Sequence, residues 1–262
     1  MRFYVRPFMS EPSTSPAQGR FIRAALVIFP VGTVVFGILS FGIWWWKREQ
    51  VEERGYKYAL ALRRDLSEAS LARHAGILEE ALSRTDAARF QAVAAYLESS
   101  MGAENMGYQV RRDRSRVGES EVANVDVELT GKPRPREVVL LLVPYGEDGK
   151  AEAESRSLAM LMGLAHALTG ETRSRTLRFA AVPLGVDPQA LVRLAEVADT
   201  RRERVMQVFV LGGSKAVEDA VDTAFQAGRT GLLIKPLTPP DSLETALAAA
   251  GVLRTALLEA AD

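Results

Sequence analysis

The chain contains no cysteine and only two histidines among its 262 residues. The absence of cysteine excludes disulfides, thiolate metal sites, iron–sulfur clusters and cysteine nucleophiles. Any zinc site or Ser-His catalytic arrangement must therefore use His74 or His166, or do without histidine. There is also no excess charge of either sign, because 33 Lys and Arg face 33 Asp and Glu. A nucleic-acid binder usually carries a basic excess, so we expect no nucleic-acid partner.

One segment lacks charge altogether. Residues 24–46, AALVIFPVGTVVFGILSFGIWWW, run for 23 positions without Asp, Glu, Lys or Arg. A helix of that length spans the roughly 30 Å hydrocarbon core of a bilayer. The segment ends in Trp44, Trp45 and Trp46, and Lys47 and Arg48 follow directly. Tryptophans followed by positive residues are typical of the interface between a membrane and water. A cleaved signal peptide would have a shorter apolar stretch and a small-residue cleavage site. The sequence therefore predicts a single-pass transmembrane helix.

The predicted span divides the chain into four parts. Residues 1–23, rich in Pro and Ser, are expected to form a disordered tail, and residues 24–46 the transmembrane helix. Residues 47–84 are expected to be a juxtamembrane helical region, and residues 85–262 an α/β domain. Positive residues flank both ends of the span, so the charges do not set its orientation. We expect a bacterial cell membrane as the location.

Hydrophobic patterning predicts the architecture of the body. Residues 49–99 are predicted to form two helices with a break at 83–86. Strands are predicted at 107–110 and 122–130, and the apolar run 138–145 is typical of a strand buried on both faces. Helices and strands then alternate, with helices at 152–168, 188–198, 215–227 and 241–260 and strands at 177–182, 205–211 and 231–234. This order predicts a mixed, mostly parallel sheet with helices on both faces, and the first two strands form an antiparallel edge.

Five consecutive segments resemble a known family. They are AAYLESSMGAENMGYQV, ANVDVELTGK, REVVLLLVPYGED, SLAMLMGLAHALTG and SRTLRFAAVP. In their order and hydrophobic pattern they are similar to the N-terminal half of the co-catalytic di-zinc aminopeptidases, family 28 of the metallopeptidases. That family includes bacterial leucine aminopeptidases and glutaminyl-cyclase-like enzymes. The resemblance covers roughly residues 85–185. It implies a zinc-aminopeptidase-like fold and favours a domain outside the cytoplasm.

The family's metal ligands are missing from this sequence. The His-Tyr-Asp of the family would fall on Pro144-Tyr145-Gly146, so only the tyrosine survives. The bridging aspartate would fall near Glu152, the Glu-Glu pair would fall on Gly185-Val186, and the late histidine has no candidate. A catalytic zinc pair needs several ligands, a bridging carboxylate and a general base. The resemblance therefore implies the fold but no zinc cofactor and no peptidase activity.

Open parallel sheets bind ligands beyond the carboxyl ends of their strands, here at loops 144–152, 183–188, 212–215 and 235–240. Carboxylates in these loops are weak candidates for a metal site, namely Glu147, Asp148, Glu152 and Asp187, with Glu154 beside them. The alternative is a solvated acidic loop with favourable charges at helix N-termini, where Asp187 caps a helix that begins near Pro188.

Three other features have two interpretations each. Residues 212–215, Gly-Gly-Ser-Lys, can offer backbone N–H groups to a phosphate, or form a turn with a helix cap. The arginines of 111–116 can contact phosphate or anionic lipid, or lie on a solvated edge strand. His74 and His166 are expected to be structural or simply exposed. No G-x-S-x-G elbow occurs, so a hydrolase triad is not expected.

The favoured function is a membrane-anchored, catalytically inactive peptidase-like domain that acts as a binding or scaffolding module for a protein partner. The first alternative is a membrane-bound hydrolase that uses the relocated carboxylates as metal ligands. The second is an inactive response-regulator receiver, because residues 177–250, with Lys235-Pro236 after a strand, resemble the last third of such domains. A receiver requires five parallel strands and no antiparallel pair.

Overall fold

The computed structural model describes residues 16–226 and 232–262. The chain divides into two units, Met1–Gly55 and Tyr56–Asp262. The helices are α1 (Pro16–Leu62), α2 (Glu68–Leu82), α3 (Arg89–Met101), α4 (Ala151–Leu168), α5 (Gln189–Thr200), α6 (Lys215–Gln226) and α7 (Leu243–Ala261). The strands are β1 (Arg111–Val117), β2 (Ser120–Leu129), β3 (Arg134–Pro144), β4 (Arg175–Val182), β5 (Arg204–Leu211) and β6 (Leu233–Leu237).

The first unit contains most of α1. Its aromatic side chains Trp44, Trp45 and Trp46 are more than half exposed, and the Arg48 guanidinium lies 5.6 Å from the Trp44 ring centre. Within the described residues, no helix combines the length and apolar character needed to cross a membrane. Residues 1–15 and several side chains of the predicted span, including 24–28, lie outside the described residues. The transmembrane helix over 24–46 therefore stays a prediction.

The second unit is built on one six-stranded sheet with the order β1-β2-β4-β3-β5-β6. The strand β2 pairs antiparallel with both β1 and β4, whereas β3 pairs parallel with both β4 and β5. The strand β6 adds a fourth parallel member at the edge. The predicted mixed, mostly parallel sheet is confirmed. The receiver alternative is wrong, because two antiparallel strands precede four parallel ones in the part of the chain that the structure describes.

Helices cover both faces of this sheet. Alternate residues of β3 face opposite sides, so Leu141 lies in the cluster with α3, α4 and α7, while Leu142 lies in the cluster with α5 and α6. A strand covered on both faces needs a continuous apolar sequence, which explains the run at 138–145. The helix α2 joins the first of these clusters through Leu78 and Leu82, and its Leu71 lies in a smaller cluster with residues of α4 and α7.

The first strand differs from its prediction. It occupies Arg111–Val117 instead of 107–110, so the arginine-rich stretch is itself the edge strand β1. Arg111 lies opposite Asp126 of β2 and donates hydrogen bonds to it and to Glu128. Arg112 donates to Glu98 at 2.8 Å. Carboxylates on neighbouring elements thus neutralise Arg111 and Arg112, and the edge-strand interpretation is confirmed.

The limits of two other elements also differ from their predictions. Residues 49–99 contain parts of three helices rather than two, because the chain leaves α1 at Leu62 and restarts at α2. The side chain of Ser67 accepts the N–H of Ser70 and caps α2. The last strand, predicted at 231–234, runs from Leu233 to Leu237 and includes Pro236. An edge strand tolerates proline because its outer N–H groups need no partner.

Candidate functional site

A cleft of about 650 Å³ lies beyond the carboxyl ends of β3, β4 and β5. One wall is the first turns of α4 with Glu154 and Ser157, and the facing wall is α6 with Ala216, Val217 and Ala220. The chain passes from β3 to β4 on one side and then crosses to β5 on the other, so strand order reverses at this point. All four loops that the sequence placed at this edge contribute lining residues.

The loop after β3 carries the surviving tyrosine of the resemblance. Tyr145 is fully buried, and its hydroxyl donates a hydrogen bond to the Ala123 carbonyl oxygen at 2.8 Å. Burial raises the pKa of this phenol far above its ordinary value. Gly146 follows with a φ of 97°, and a Cβ there would meet the Phe90 ring at 3.0 Å. Tyr145 is therefore a core residue, and neither Pro144 nor Gly146 offers a metal ligand.

The position that would hold the family's first paired glutamate is closed by backbone. A Cβ on Gly185 would lie 2.2 Å from both the Gly146 carbonyl carbon and the Glu147 nitrogen. The Gly185 N–H donates to the Tyr145 carbonyl oxygen at 3.1 Å, and the Tyr145 N–H donates to the Val182 oxygen at 2.9 Å. These bonds hold the loop after β3 against the loop after β4. No side chain fits between them at residue 185.

Glu154 is the most unusual group in the cleft. Its two carboxylate oxygens accept the N–H groups of Gly146 and Glu147, each at 2.8 Å. Burial opposes ionisation more strongly than these two bonds favour it, so the pKa of Glu154 rises to about 7. The sequence placed Glu154 only beside the leading acidic candidates. Its contact with the loop eight residues earlier depends on the turn at Gly146 and Gly149, where φ is positive.

The four acidic candidates do not converge. Glu147 pairs with Lys150 at 2.8 Å, Asp148 with Arg89 at 2.9 Å, and Glu152 with Arg156 at 2.5 Å. Asp187 is buried and does not line the cleft. It accepts from Arg193 at 2.6 Å and from the Ser115 hydroxyl at 2.7 Å, contacts that lower its pKa although burial opposes them.

Asp187 also accepts the Gln189 N–H, so it caps the start of α5 as the alternative interpretation predicted. Among the described residues, no group of three or more His, Cys, Asp or Glu side chains is placed to hold a metal ion. The residues present in the cleft therefore do not fit the zinc pair that the resemblance implies.

The Gly-Gly-Ser-Lys segment forms the turn between β5 and α6. Gly212 and Gly213 have φ values of 79° and 106°, and the Ser214 carbonyl oxygen accepts the N–H groups of Val217 and Glu218. Lys215 is exposed and pairs with Glu218 and Asp219 on the next turn of the helix. The lysine therefore faces its own helix, which favours the turn interpretation over a phosphate site.

The two histidines lie together, which the sequence did not predict. Both line a second cavity of about 310 Å³ between α2, α3 and α4, although they are far apart in sequence. The His74 Nδ1 lies 2.7 Å from the Tyr96 hydroxyl, and the His166 Nε2 lies 2.8 Å from the Leu62 carbonyl oxygen. No local sequence signal marks this pairing, because it arises from the packing of α2 on α4.

Comparison of the sequence with protein-family models and with curated proteins gave no match. Solved structures match in fold. A protein from Bacteroides vulgatus described as a Zn-dependent exopeptidase is 11% identical, with a TM-score of 0.51 over 75% of this chain and 97% of the other. A glutaminyl cyclase from an Acidobacteriales bacterium is 10% identical, with a TM-score of 0.52 over 75% and 96%. This chain therefore has the α/β fold seen in zinc-dependent exopeptidase and glutaminyl cyclase structures.

Proposed function

We propose that this protein is a membrane-anchored domain with a peptidase-like fold that has no peptidase activity and binds a protein partner through its cleft. The observation that carries the proposal is the contact of Gly185 with the Gly146–Glu147 peptide. A catalytic zinc site needs several side-chain ligands, and the backbone contact leaves no space for one at residue 185.

The cleft supports binding without chemistry. Its α6 wall is apolar at Ala216, Val217 and Ala220, and its α4 wall is polar at Glu154 and Ser157. Pockets that combine an apolar wall with a few placed polar groups orient a ligand and provide specificity. A short segment of a partner chain fits this cleft if a small apolar side chain packs on the α6 wall and its polar groups face the α4 wall.

The proposed anchor is the uncharged segment 24–46, which leads into Lys47 and Arg48. It would tether the domain to a bacterial cell membrane by a single pass. The fold similarity favours an extracytoplasmic location for the domain. Reaction of single cysteines introduced at residues 2 and 252 with a membrane-impermeant reagent in intact cells tests both points. We expect Val252→Cys to react and Arg2→Cys to be protected. The reverse pattern contradicts the proposed orientation, and reaction at both positions contradicts the single pass.

A cross-linking experiment tests the binding role. A photoreactive amino acid is placed at Ala216 in the cleft, and the matched control carries it at Val252, which is 73% exposed on α7. We expect a discrete protein adduct from position 216 in native membranes and none from position 252. The absence of an adduct at 216, or the same adduct at both positions, contradicts binding in the cleft.

The alternative is a hydrolase that uses relocated carboxylates. One observation favours it, since a carboxyl group with a pKa near 7 in a cleft has the property of a general base. This alternative predicts a metal-dependent hydrolytic rate that falls by at least about a hundredfold in Glu154→Gln. It also predicts a loss of rate in Glu152→Ala. The favoured proposal predicts no metal-dependent rate in the native protein or in either variant.

A further inference from the structure

Arginine and histidine side chains line the second cavity. It lies between α2, α3 and α4 and has a volume of about 310 Å³. Arg64, Arg73, His74 and His166 line it, and the remaining lining residues are uncharged at neutral pH. At about 30 Å³ for each water, the space holds roughly ten waters, or a phosphate group with a small substituent.

The two arginines of this cavity are available to a ligand. Arg64 lies in the segment between α1 and α2, and Arg73 lies on α2. Both are exposed, and neither has an ion-pair partner among the residues that the structure describes. Most other arginines of the domain are paired, as with Arg111 and Asp126 on the sheet. Two unpaired guanidinium groups at one opening form a typical recognition arrangement for an oxyanion.

The histidines add two ring nitrogens that have no partner in the part of the chain that the structure describes. The His166 Nε2 donates to the Leu62 carbonyl oxygen at 2.8 Å, which leaves Nδ1 without a partner in the described chain. The His74 Nδ1 bonds to the Tyr96 hydroxyl at 2.7 Å, which leaves Nε2 without one. Burial, and after it the charge of Arg73, lowers the pKa of His74 to about 4. Burial likewise lowers the pKa of His166, and the charges of Arg64 and Arg73 add to this effect.

We propose that the cavity between α2, α3 and α4 binds a phosphate-type dianion through Arg64, Arg73, His74 and His166. The arginines neutralise the anion at the opening, and the histidines donate from the interior. A bound dianion offsets the charges of the arginines, so it favours protonation of both imidazoles. Binding is therefore coupled to proton uptake, so the affinity for an anion that keeps two charges rises as the pH falls from 8 toward 6. Tyr96 faces the same space. The site is separate from the cleft at the sheet, so it does not depend on the function proposed for that cleft.

The test uses the full chain in nanodiscs of neutral phosphatidylcholine, with ¹³C-labelled histidine. Because the chain has two histidines, each ring is observed as a separate NMR signal. Inorganic phosphate is added at constant ionic strength. Sulfate, which keeps two charges throughout this pH range, separates titration of the protein from titration of the ligand. We expect saturable shifts of both histidine signals and a rise in both pKa values when the anion is bound.

Two variants make the test specific. Arg64→Gln combined with Arg73→Gln removes both unpaired charges at exposed positions, so the fold is preserved. We expect at least about tenfold weaker phosphate binding, since a charge-assisted hydrogen bond typically changes affinity by that factor or more. Arg136→Gln, an exposed arginine on β3, is the matched control and should bind as the native protein does.

Nanodiscs that contain phosphatidic acid distinguish the source of the phosphate group. Shifts with inorganic phosphate identify a soluble ligand, and shifts only with phosphatidic acid identify a lipid headgroup. Either result supports the proposal if the double arginine variant weakens it. No shift from either source, or equal binding by the double variant and the Arg136→Gln control, overturns the proposal.

Discussion

Replacing Gly185 by alanine tests the contact between the loop after β3 and the loop after β4 in the cleft. The new Cβ would lie 2.2 Å from the Gly146 carbonyl carbon and the Glu147 nitrogen, whereas ordinary contacts begin near 3.4 Å. The loop after β3 must therefore retreat by more than an ångström. The retreat lengthens the 3.1 Å bond from the Gly185 N–H to the Tyr145 oxygen and disturbs the N–H groups that Glu154 accepts.

The expected cost follows from two effects. Overpacking a rigid backbone contact typically costs about 1–3 kcal/mol, and a weakened buried hydrogen bond adds about 1 kcal/mol. We expect a loss of about 2–4 kcal/mol in the free energy of unfolding. For a domain of this size, that loss lowers the thermal midpoint by roughly 5–15 °C. Thermal unfolding followed by circular dichroism of the full chain in detergent measures it.

Gly76→Ala is the matched control for this substitution. Gly76 is exposed on α2, and a Cβ there meets nothing within 4 Å. Alanine should stabilise the helix by about 0.5–1 kcal/mol. If Gly185→Ala is as stable as the native protein, the two loops are not in contact. The cleft would then have room for the side chains of a metal site, which contradicts the proposed closure at Gly185.

Three further predictions concern charged groups. The folded state holds the Glu154 proton more tightly than the unfolded chain does, because the pKa is about 7 against 4.5. The unfolding free energy should therefore decrease by up to about 3 kcal/mol as the pH rises from 4.5 through 7. This decrease should be absent in Glu154→Gln and present in the control Glu152→Gln. Asp187→Ala should cost about 2 kcal/mol at pH 7 by urea denaturation, and the difference should shrink as the pH falls through the lowered pKa of Asp187. Arg178 is 2% exposed and donates to Glu128 and Glu203, so Arg178→Met should cost about 3–5 kcal/mol, whereas the exposed Arg136→Met should cost less than about 0.5 kcal/mol. Equal stability of the two arginine variants would contradict the role of Arg178.

The sequence predicted those parts of the fold that depend on local pattern. The apolar run of β3 indicated a strand buried on both faces, and the alternation of helices and strands predicted the parallel part of the sheet. The location of the cleft followed from the general behaviour of such sheets. These features are local or topological, so one sequence contains enough information for them.

The missed features depend on partners that are distant in the chain. An arginine-rich segment does not have the pattern of a strand until Asp126 and Glu98 are known to neutralise it. The closure at Gly185 involves a loop nearly forty residues earlier, and glycine in a sequence does not reveal what approaches it. The pKa of Glu154 and the meeting of His74 with His166 likewise result from tertiary packing.

Zinc content and turnover, measured on the same sample, test whether the cleft lacks a catalytic metal site. The full chain is purified in detergent without chelators, incubated with excess zinc, desalted and analysed by inductively coupled plasma mass spectrometry. The same sample is then assayed for cleavage of aminoacyl substrates and for cyclisation of N-terminal glutamine. We expect zinc far below one ion per chain and no turnover above the zinc-only control. Two zinc ions per chain with turnover would contradict it.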